Sequence, residues 1–145
     1  MAITFENIIY DRIIDALQDL LANEFAVPVY ADEHRGNQSF LLTPASDNIN
    51  EFGNNFQARD YVVEIVYQLK LGGTYTKNSI KQVSNIAERV KRLIYDNASY
   101  SPSDSYKWHD GNIDSIEYNR DEDSPDLITA VMNFNCTSTE VTWNM

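Results

Sequence analysis

The amino-acid sequence predicts one α+β domain, with two helices packed on one face of a mainly antiparallel, mixed sheet. Two segments carry apolar residues at the three-and-four spacing of a helix, and others show the apolar–polar alternation of half-buried strands. These elements run helix, strands, helix, strands, without the βαβ alternation that builds a parallel sheet. We expect all 145 residues to form a single domain, since that length can bury its own core.

The first helix is predicted over residues 4–23, with Thr4 as its N-cap. Its apolar face is predicted to consist of Phe5, Ile8, Ile9, Ile13, Ala16, Leu17, Leu20 and Leu21. Asp11, Asp15 and Asp19 are four residues apart, so they lie on one helix face. That spacing predicts an acidic stripe facing solvent.

Short strands are predicted at residues 26–30, where Pro28 favours an edge position, and at residues 39–43. The Asn-rich stretch between Thr43 and Arg59 predicts a long connecting loop. Within it, Phe52 and Phe56 are candidate interface residues, because free loops seldom expose two Phe side chains to water.

The central strand is predicted from Arg59 to Leu71, where apolar residues alternate from Tyr61 onward. It is long for a small domain. We therefore expect part of it to project beyond the core, as a hairpin arm or as a wall shared with a neighbour. Gly72-Gly73 is predicted to end it.

The second helix is predicted from Ser79 to Tyr95, where Ser79-x-x-Gln82 matches a capping box. Its exposed face is basic, with Lys77, Lys81, Arg89, Lys91 and Arg92. We interpret this face as solvated and complementary to an acidic neighbour, such as the aspartates of the first helix.

The remaining residues predict two or three strands. Tyr106 and Trp108 alternate before Asp110-Gly111, which is typical of a hairpin turn, and residues 113–118 form the returning strand. Leu127 to Cys136 alternates clearly and predicts a half-buried strand. Trp108 and Trp143 join the candidate interface residues, although core packing accounts equally well for Trp108.

Residue types alone predict no catalytic, cofactor or metal site. Cys136 lies on the apolar face of a strand, so we expect a core thiol rather than a nucleophile paired with His34 or His109. The acidic segment Asp121–Asp126 lacks the glycine of a calcium loop and carries Pro125, so we expect a solvated loop.

The charge balance limits the classes of partner. A net charge of −11 and a pI near 4.4 oppose general adhesion to nucleic acid or to anionic lipid. The sequence shows no basic n-region of a signal peptide and no apolar run long enough for a membrane helix. We expect synthesis in a cytoplasm and no membrane partner.

The order of elements resembles that of the tail-terminator, or tail-completion, proteins of long-tailed bacteriophages. The resemblance lies in the long first helix, the strand Arg59–Leu71, the helix Ser79–Tyr95 and the Trp-containing segment that follows it. The stretch from Asp123 to Cys136, DSPDLITAVMNFNC, is the most similar to the family.

The resemblance implies a structural virion protein of the tail and neck region, without enzymatic activity or cofactor, made in the cytoplasm of a bacterial host. Such proteins form hexameric rings that cap the tail tube, end its growth and join it to the head connector. DNA passes through the ring without specific binding, and we expect Asp11, Asp15 and Asp19 to line that lumen. Two alternatives are another neck or head–tail joining protein and a small cytoplasmic enzyme.

Overall fold

A computed structural model describes residues 3–70, 77–120 and 127–141, and it confirms the predicted α+β fold. A π-helical segment, Ile8–Ile14, leads directly into α1, Asp15–Glu24, and α2 spans Lys77–Asp96. The strands are β1 Val29–Tyr30, β2 Gln38–Phe52, β3 Phe56–Lys70, β4 His109–Arg120 and β5 Leu127–Val141.

The five strands form one mixed sheet in the order β1-β2-β3-β5-β4. Only β1 is parallel to its neighbour, and every other pair is antiparallel, as predicted. Because β1 pairs only with Phe40 and Leu41, the rest of β2 is an open edge. At the far side of the sheet, β4 is the other open edge.

Both helices pack on the same face of the sheet. The alternating residues of β3 and β5 that point to this face are buried, in agreement with the sequence pattern. They are Tyr61, Val63, Ile65, Tyr67 and Leu69 in β3, and Ile128, Ala130, Met132, Phe134 and Cys136 in β5. The opposite face of the sheet is half-exposed along the same two strands.

The first helix begins later than predicted. Asn7, not Thr4, is the cap, and its side chain accepts a hydrogen bond from the backbone N–H of Tyr10. Helical backbone therefore starts at Ile8, and Phe5 lies before the helix with 78% of its surface exposed instead of on the apolar face. The predicted start is one turn too early, since Phe5 continues the apolar spacing of the sequence although the backbone before Ile8 is not helical.

The prediction of a long Asn-rich loop between Thr43 and Arg59 is wrong. Its first ten residues continue β2, four more belong to the start of β3, and only residues 53–55 form the turn. Side chains 43–52 are all exposed, so no apolar alternation marks the strand in the sequence. Pairing with β3 satisfies the backbone there, without burial of the side chains.

The predicted hairpin turn at Asp110-Gly111 is also wrong. Both residues lie within β4, at a register shift between His109 and Asn112. Asp110 has φ +55°, which Asp tolerates better than most residues. A Cβ on Gly111 would lie 2.8 Å from the indole nitrogen of Trp108. The dipeptide therefore makes a bulge that lets the strand pass close to Trp108.

Trp108 belongs to the core and not to an interface. Its side chain is fully buried, packs against Phe134 at 5.1 Å between ring centres and lies 4.9 Å from Tyr100. Its indole N–H donates to the carbonyl of Asn97 at 3.1 Å. The candidate interface role of Trp108 is therefore corrected: the ring joins the end of α2 to β5.

The predicted strand end at Gly72-Gly73 and the predicted acidic loop Asp121–Asp126 lie outside the described residues. Among the described ranges there is no helix of the length and apolarity needed to cross a membrane.

Replacing Trp108 with Ala tests its assignment to the core. We expect Trp108→Ala to lower the free energy of unfolding by about 3–5 kcal/mol, because it leaves a cavity and an unpaired carbonyl. The control is Phe52→Ala, which we expect to change stability by less than about 0.5 kcal/mol, since 75% of Phe52 is exposed. Urea unfolding followed by circular dichroism measures both; equal losses would contradict the assignment.

Candidate assembly surfaces

Three strands continue beyond the main apolar core. We call their distal parts, residues 46–52, 56–60 and 137–141, the outer wall. The five residues of β3 in this wall extend it by about 17 Å at the usual rise of a strand. Of the predicted central strand only Arg59 and Asp60 lie in this wall. Residues 56–58 precede its predicted start, and β3 pairs there with β5 as well as with β2.

The two Phe residues at the end of the wall differ in their surroundings. Phe56 is half-buried because its ring packs over Gly53, where an added Cβ would lie 2.4 Å from the ring. The Gly53 N–H donates to the Phe56 carbonyl at 2.9 Å and closes the turn. Phe52 points away and is 75% exposed. Phe52 is therefore the aromatic residue available to a partner, while Phe56 shapes the turn.

Polar side chains hold the wall on the helix-facing side. Arg59 donates from Nε to Asp47 at 2.6 Å and from Nη1 to Gln57 at 3.1 Å. Gln57 in turn donates to Glu140 on β5 at 3.1 Å. The chain of contacts runs across all three strands and stabilises their register in the wall.

A second set of hydrogen bonds lies on the opposite face and converges on Asp60. Thr137 donates its hydroxyl to the Asp60 carboxylate at 2.6 Å, and Asn50 donates its amide to the same group at 3.0 Å. Asn50 sits at the register shift between Ile49 and Glu51. The contact to Asp60 therefore stabilises the bulged edge of β2.

Arg12 ties the base of the wall to the first helix. Its guanidinium donates to the Ser138 hydroxyl at 2.8 Å and to the Thr139 carbonyl at 2.9 Å, and it forms a two-pronged pair with Glu6 at 2.7 and 3.0 Å. Only 13% of the Arg12 side chain is exposed. Its hydrogen bond holds the pKa of Glu6 below the ordinary value of 4.5. Arg12 thus couples the N-terminal segment to β5.

The acidic stripe is on the surface, as predicted. Asp11, Asp15 and Asp19 are all exposed. Burial raises the pKa of the Tyr100 phenol, and the negative charge of nearby Asp19 raises it further. Among the side chains that the structure describes, none of the three pairs with the basic face of α2. Instead Arg89 binds Glu24 at 2.9 Å, which links the two helices at another point.

A groove of about 360 Å³ runs between α2 and the edge strand β4. Its helix side is formed by Glu88, Lys91, Arg92 and Tyr95, and its strand side by residues 111–113. Lys91 pairs with Glu88 at 2.8 Å. Further cavities continue the groove along β4 toward Tyr118 and Arg120. The basic helix face was visible in the sequence, but the groove was not, because it depends on β4 being an edge.

The residues with reactive side chains are placed apart. Cys136 is buried, and burial raises the pKa of its thiol far above the usual range, so the thiolate nucleophile is suppressed. His34 bonds through Nδ1 to Ser39 at 2.7 Å, and burial lowers its pKa. His109 contacts Tyr106 at 2.7 Å. Among the described residues no three His, Cys, Asp or Glu side chains come together as a metal site.

Trp143, the remaining candidate interface residue, lies outside the described residues. No protein-family model matches the sequence, and no curated protein is similar enough to count as a relative.

Replacing Arg12 with Ala tests the coupling at the base of the wall. We expect Arg12→Ala to lower the free energy of unfolding by about 1–3 kcal/mol at neutral pH, because buried acceptors lose a charged donor. The control is Arg35→Ala, whose ion pairs on a loop are exposed and worth at most about 1 kcal/mol.

The Arg12→Ala variant should also change how the free energy of unfolding depends on pH. A lowered carboxyl pKa contributes stability above its unfolded value of 4.5, and that contribution disappears as the pH falls through the folded value. Urea titrations between pH 3 and pH 6 should therefore show a shallower pH dependence for Arg12→Ala than for the wild type. Parallel curves would contradict the Arg12–Glu6 assignment.

Proposed function

We propose that this chain is a tail-terminator protein of a long-tailed bacteriophage: a structural virion protein that assembles into a ring, hexameric in the family it resembles. The ring caps the tail tube, ends its growth and joins the tail to the head connector. The observation that carries the proposal is the outer wall, a three-stranded extension of the sheet whose exposed side chains lie mainly on its β2 edge.

The two open strand edges support ring assembly. One edge is the distal part of β2 and the other is β4, and they lie on opposite sides of the same sheet. A contact that uses two different surfaces of one chain is heterologous, and it closes into a ring when the rotation per copy divides a full turn. Two different open edges are what a head-to-tail contact between copies requires, and this supports the proposal.

Charge supports passage of DNA through such a ring. The chain has a net charge of −11, and the exposed stripe Asp11, Asp15 and Asp19 has no ion pair among the described residues. An acidic lumen repels phosphates, so DNA slides through without being held. In this proposal the stripe faces the lumen, and the partners are the tail-tube protein and the head connector.

A tube-growth assay tests the proposal. Tail-tube protein encoded in the same phage genome is polymerised with and without this chain, and tube lengths are measured by electron microscopy. We expect tubes several-fold shorter, with a ring of density at one end, because a bound cap blocks addition of tube subunits.

Phe52→Ala is the matched variant, since it removes an exposed ring from the wall without affecting the core. We expect weaker capping by this variant and full capping by Ile3→Ala, a control at a position 84% exposed outside the wall. Unchanged tube lengths with the wild type would contradict the terminator role. Binding to the head connector without any effect on tubes would instead favour the joining-protein alternative.

A further inference from the structure

The loop that joins β1 to β2, residues 31–37, packs a histidine against the sheet. His34 forms a hydrogen bond of 2.7 Å between its Nδ1 atom and the hydroxyl of Ser39. Ser39 alternates with the core residue Phe40, so it points to the face of the sheet that lies away from both helices. It is nevertheless fully buried. The His34 side chain therefore covers this part of that face.

The other ring nitrogen of His34 lacks a partner. Nε2 is buried and makes no hydrogen bond among the described residues. In either neutral tautomer the Ser39 hydroxyl satisfies Nδ1, because a hydroxyl can donate or accept. In the imidazolium both nitrogens are donors, and a charged Nε2–H would be buried without an acceptor. The closed loop therefore favours the neutral ring.

The described charged groups around His34 leave Nε2 without an acceptor. Those on the loop are exposed and pair with one another: Asp32, Glu33 and Arg35. On β3, Lys70 is a cation two residues along the same face from Gln68, the ladder partner of Ser39. β1 contributes the phenol of Tyr30, and residues 38–46 of β2 are uncharged. Protonation of the closed ring therefore gains no ion pair among the described residues.

The direction of the pH effect follows from this burial. Burial lowers the pKa of His34 below its ordinary value of 6.5, whereas a released ring is hydrated and titrates near that value. Below pH 6.5 the open loop therefore binds more protons than the closed loop. Closure is fully favoured above this pH and weakens as the pH falls toward the lower pKa of the buried ring.

The loop can open while β1 stays in place. Gly36 has φ +78°, where glycine is far less restricted than other residues, so the backbone can turn there. β1 is held by separate contacts. Gln18 of α1 donates to the Val29 carbonyl at 3.2 Å, and the Phe40 N–H donates to the Pro28 carbonyl at 2.9 Å. Opening therefore concerns residues 31–37 alone.

We propose that His34 is a pH-sensitive latch: its neutral ring holds the loop 31–37 closed over Ser39, and its protonation releases the loop. Release exposes the Ser39 hydroxyl and the adjoining part of the sheet. Access to this face then depends on the acidity of the surroundings. The inference does not depend on the proposed function, because it concerns the free chain.

Hydrogen exchange at the Lys70 amide measures the opening, because this N–H donates to the Asn37 carbonyl at the end of the loop, at 2.7 Å. The protection factor is the intrinsic exchange rate divided by the observed rate. In the wild type we expect it to be at least about threefold smaller at pH 5 than at pH 7.5. The Gly53 amide, bonded to Phe56 at 2.9 Å in the distant turn, should keep its protection.

Three variants separate the latch from other effects of pH. His34→Asn keeps an amide that can bond Ser39 in place of Nδ1 but does not titrate, so the ratio of its two Lys70 protection factors should be about one. His109→Asn is the matched control, since it removes the other histidine of the chain and should keep the wild-type ratio. Ser39→Ala removes the bonded hydroxyl and should lower Lys70 protection already at pH 7.5. Thermal unfolding checks that each variant is folded.

A wild-type ratio of one would overturn the inference, as would an equal ratio in the wild type and in His34→Asn. Loss of protection at Gly53 in parallel with Lys70 would also contradict it, because the pH effect would then act on the whole fold. The same holds for a His34 ring that titrates at or above 6.5 by nuclear magnetic resonance. Wild-type protection in Ser39→Ala would show that the hydroxyl does not close the loop.

Discussion

The pairing of β3 with β5 is the interaction on which the rest of the structure depends. Fifteen consecutive residue pairs, from Phe56 with Val141 to Lys70 with Leu127, join them without a bulge. The inner part of this pair carries the buried residues to which both helices are attached. The outer part continues the same ladder into the wall, so one uninterrupted register serves both the core and the projection.

The residues that stabilise the fold and the residues exposed on the wall are different ones. The core residues that hold the helices, such as Tyr67 and Phe134, are fully buried and contribute nothing to the surface. In the wall the β2 side chains are exposed, whereas those of β3 and β5 are mostly buried or half-buried, and polar contacts such as Arg59 with Asp47 and Asp60 with Thr137 join the strands. The exposed side chains of such a surface can contact a partner, because the fold does not depend on them. Ile49 and Phe52 therefore remain exposed at modest cost to the free chain.

The sequence was sufficient for the parts of the fold in which burial follows the repeat of the backbone. The alternation in β3 and β5 and the helical spacing in α2 come from the side chains that meet the core, so the α+β class and the element order could be predicted. The distal part of β2 could not, because its side chains are exposed on both faces and its Asn, Asp and Ser residues are also typical of loops. Asp110-Gly111 was misassigned for a similar reason, since a dipeptide that favours positive φ suits a bulge as well as a turn.

At the candidate surfaces, exposure of Phe52 and of the acidic stripe was predictable from composition and spacing. The groove and the burial of Trp108 were not, because both depend on which strand is at the edge.

In the proposed assembly, copies of this chain join head to tail and close into a ring. Native mass measurement of the purified protein, with negative-stain images of the same sample, tests this most directly. We predict one closed oligomer of a single size, with six copies as in the family that the chain resembles, and ring-shaped images. At saturating protein concentration we expect no series of smaller oligomers. A two-fold dimer as the end state would contradict the claim, because such a dimer joins identical surfaces. Fibres of unlimited length would contradict ring closure.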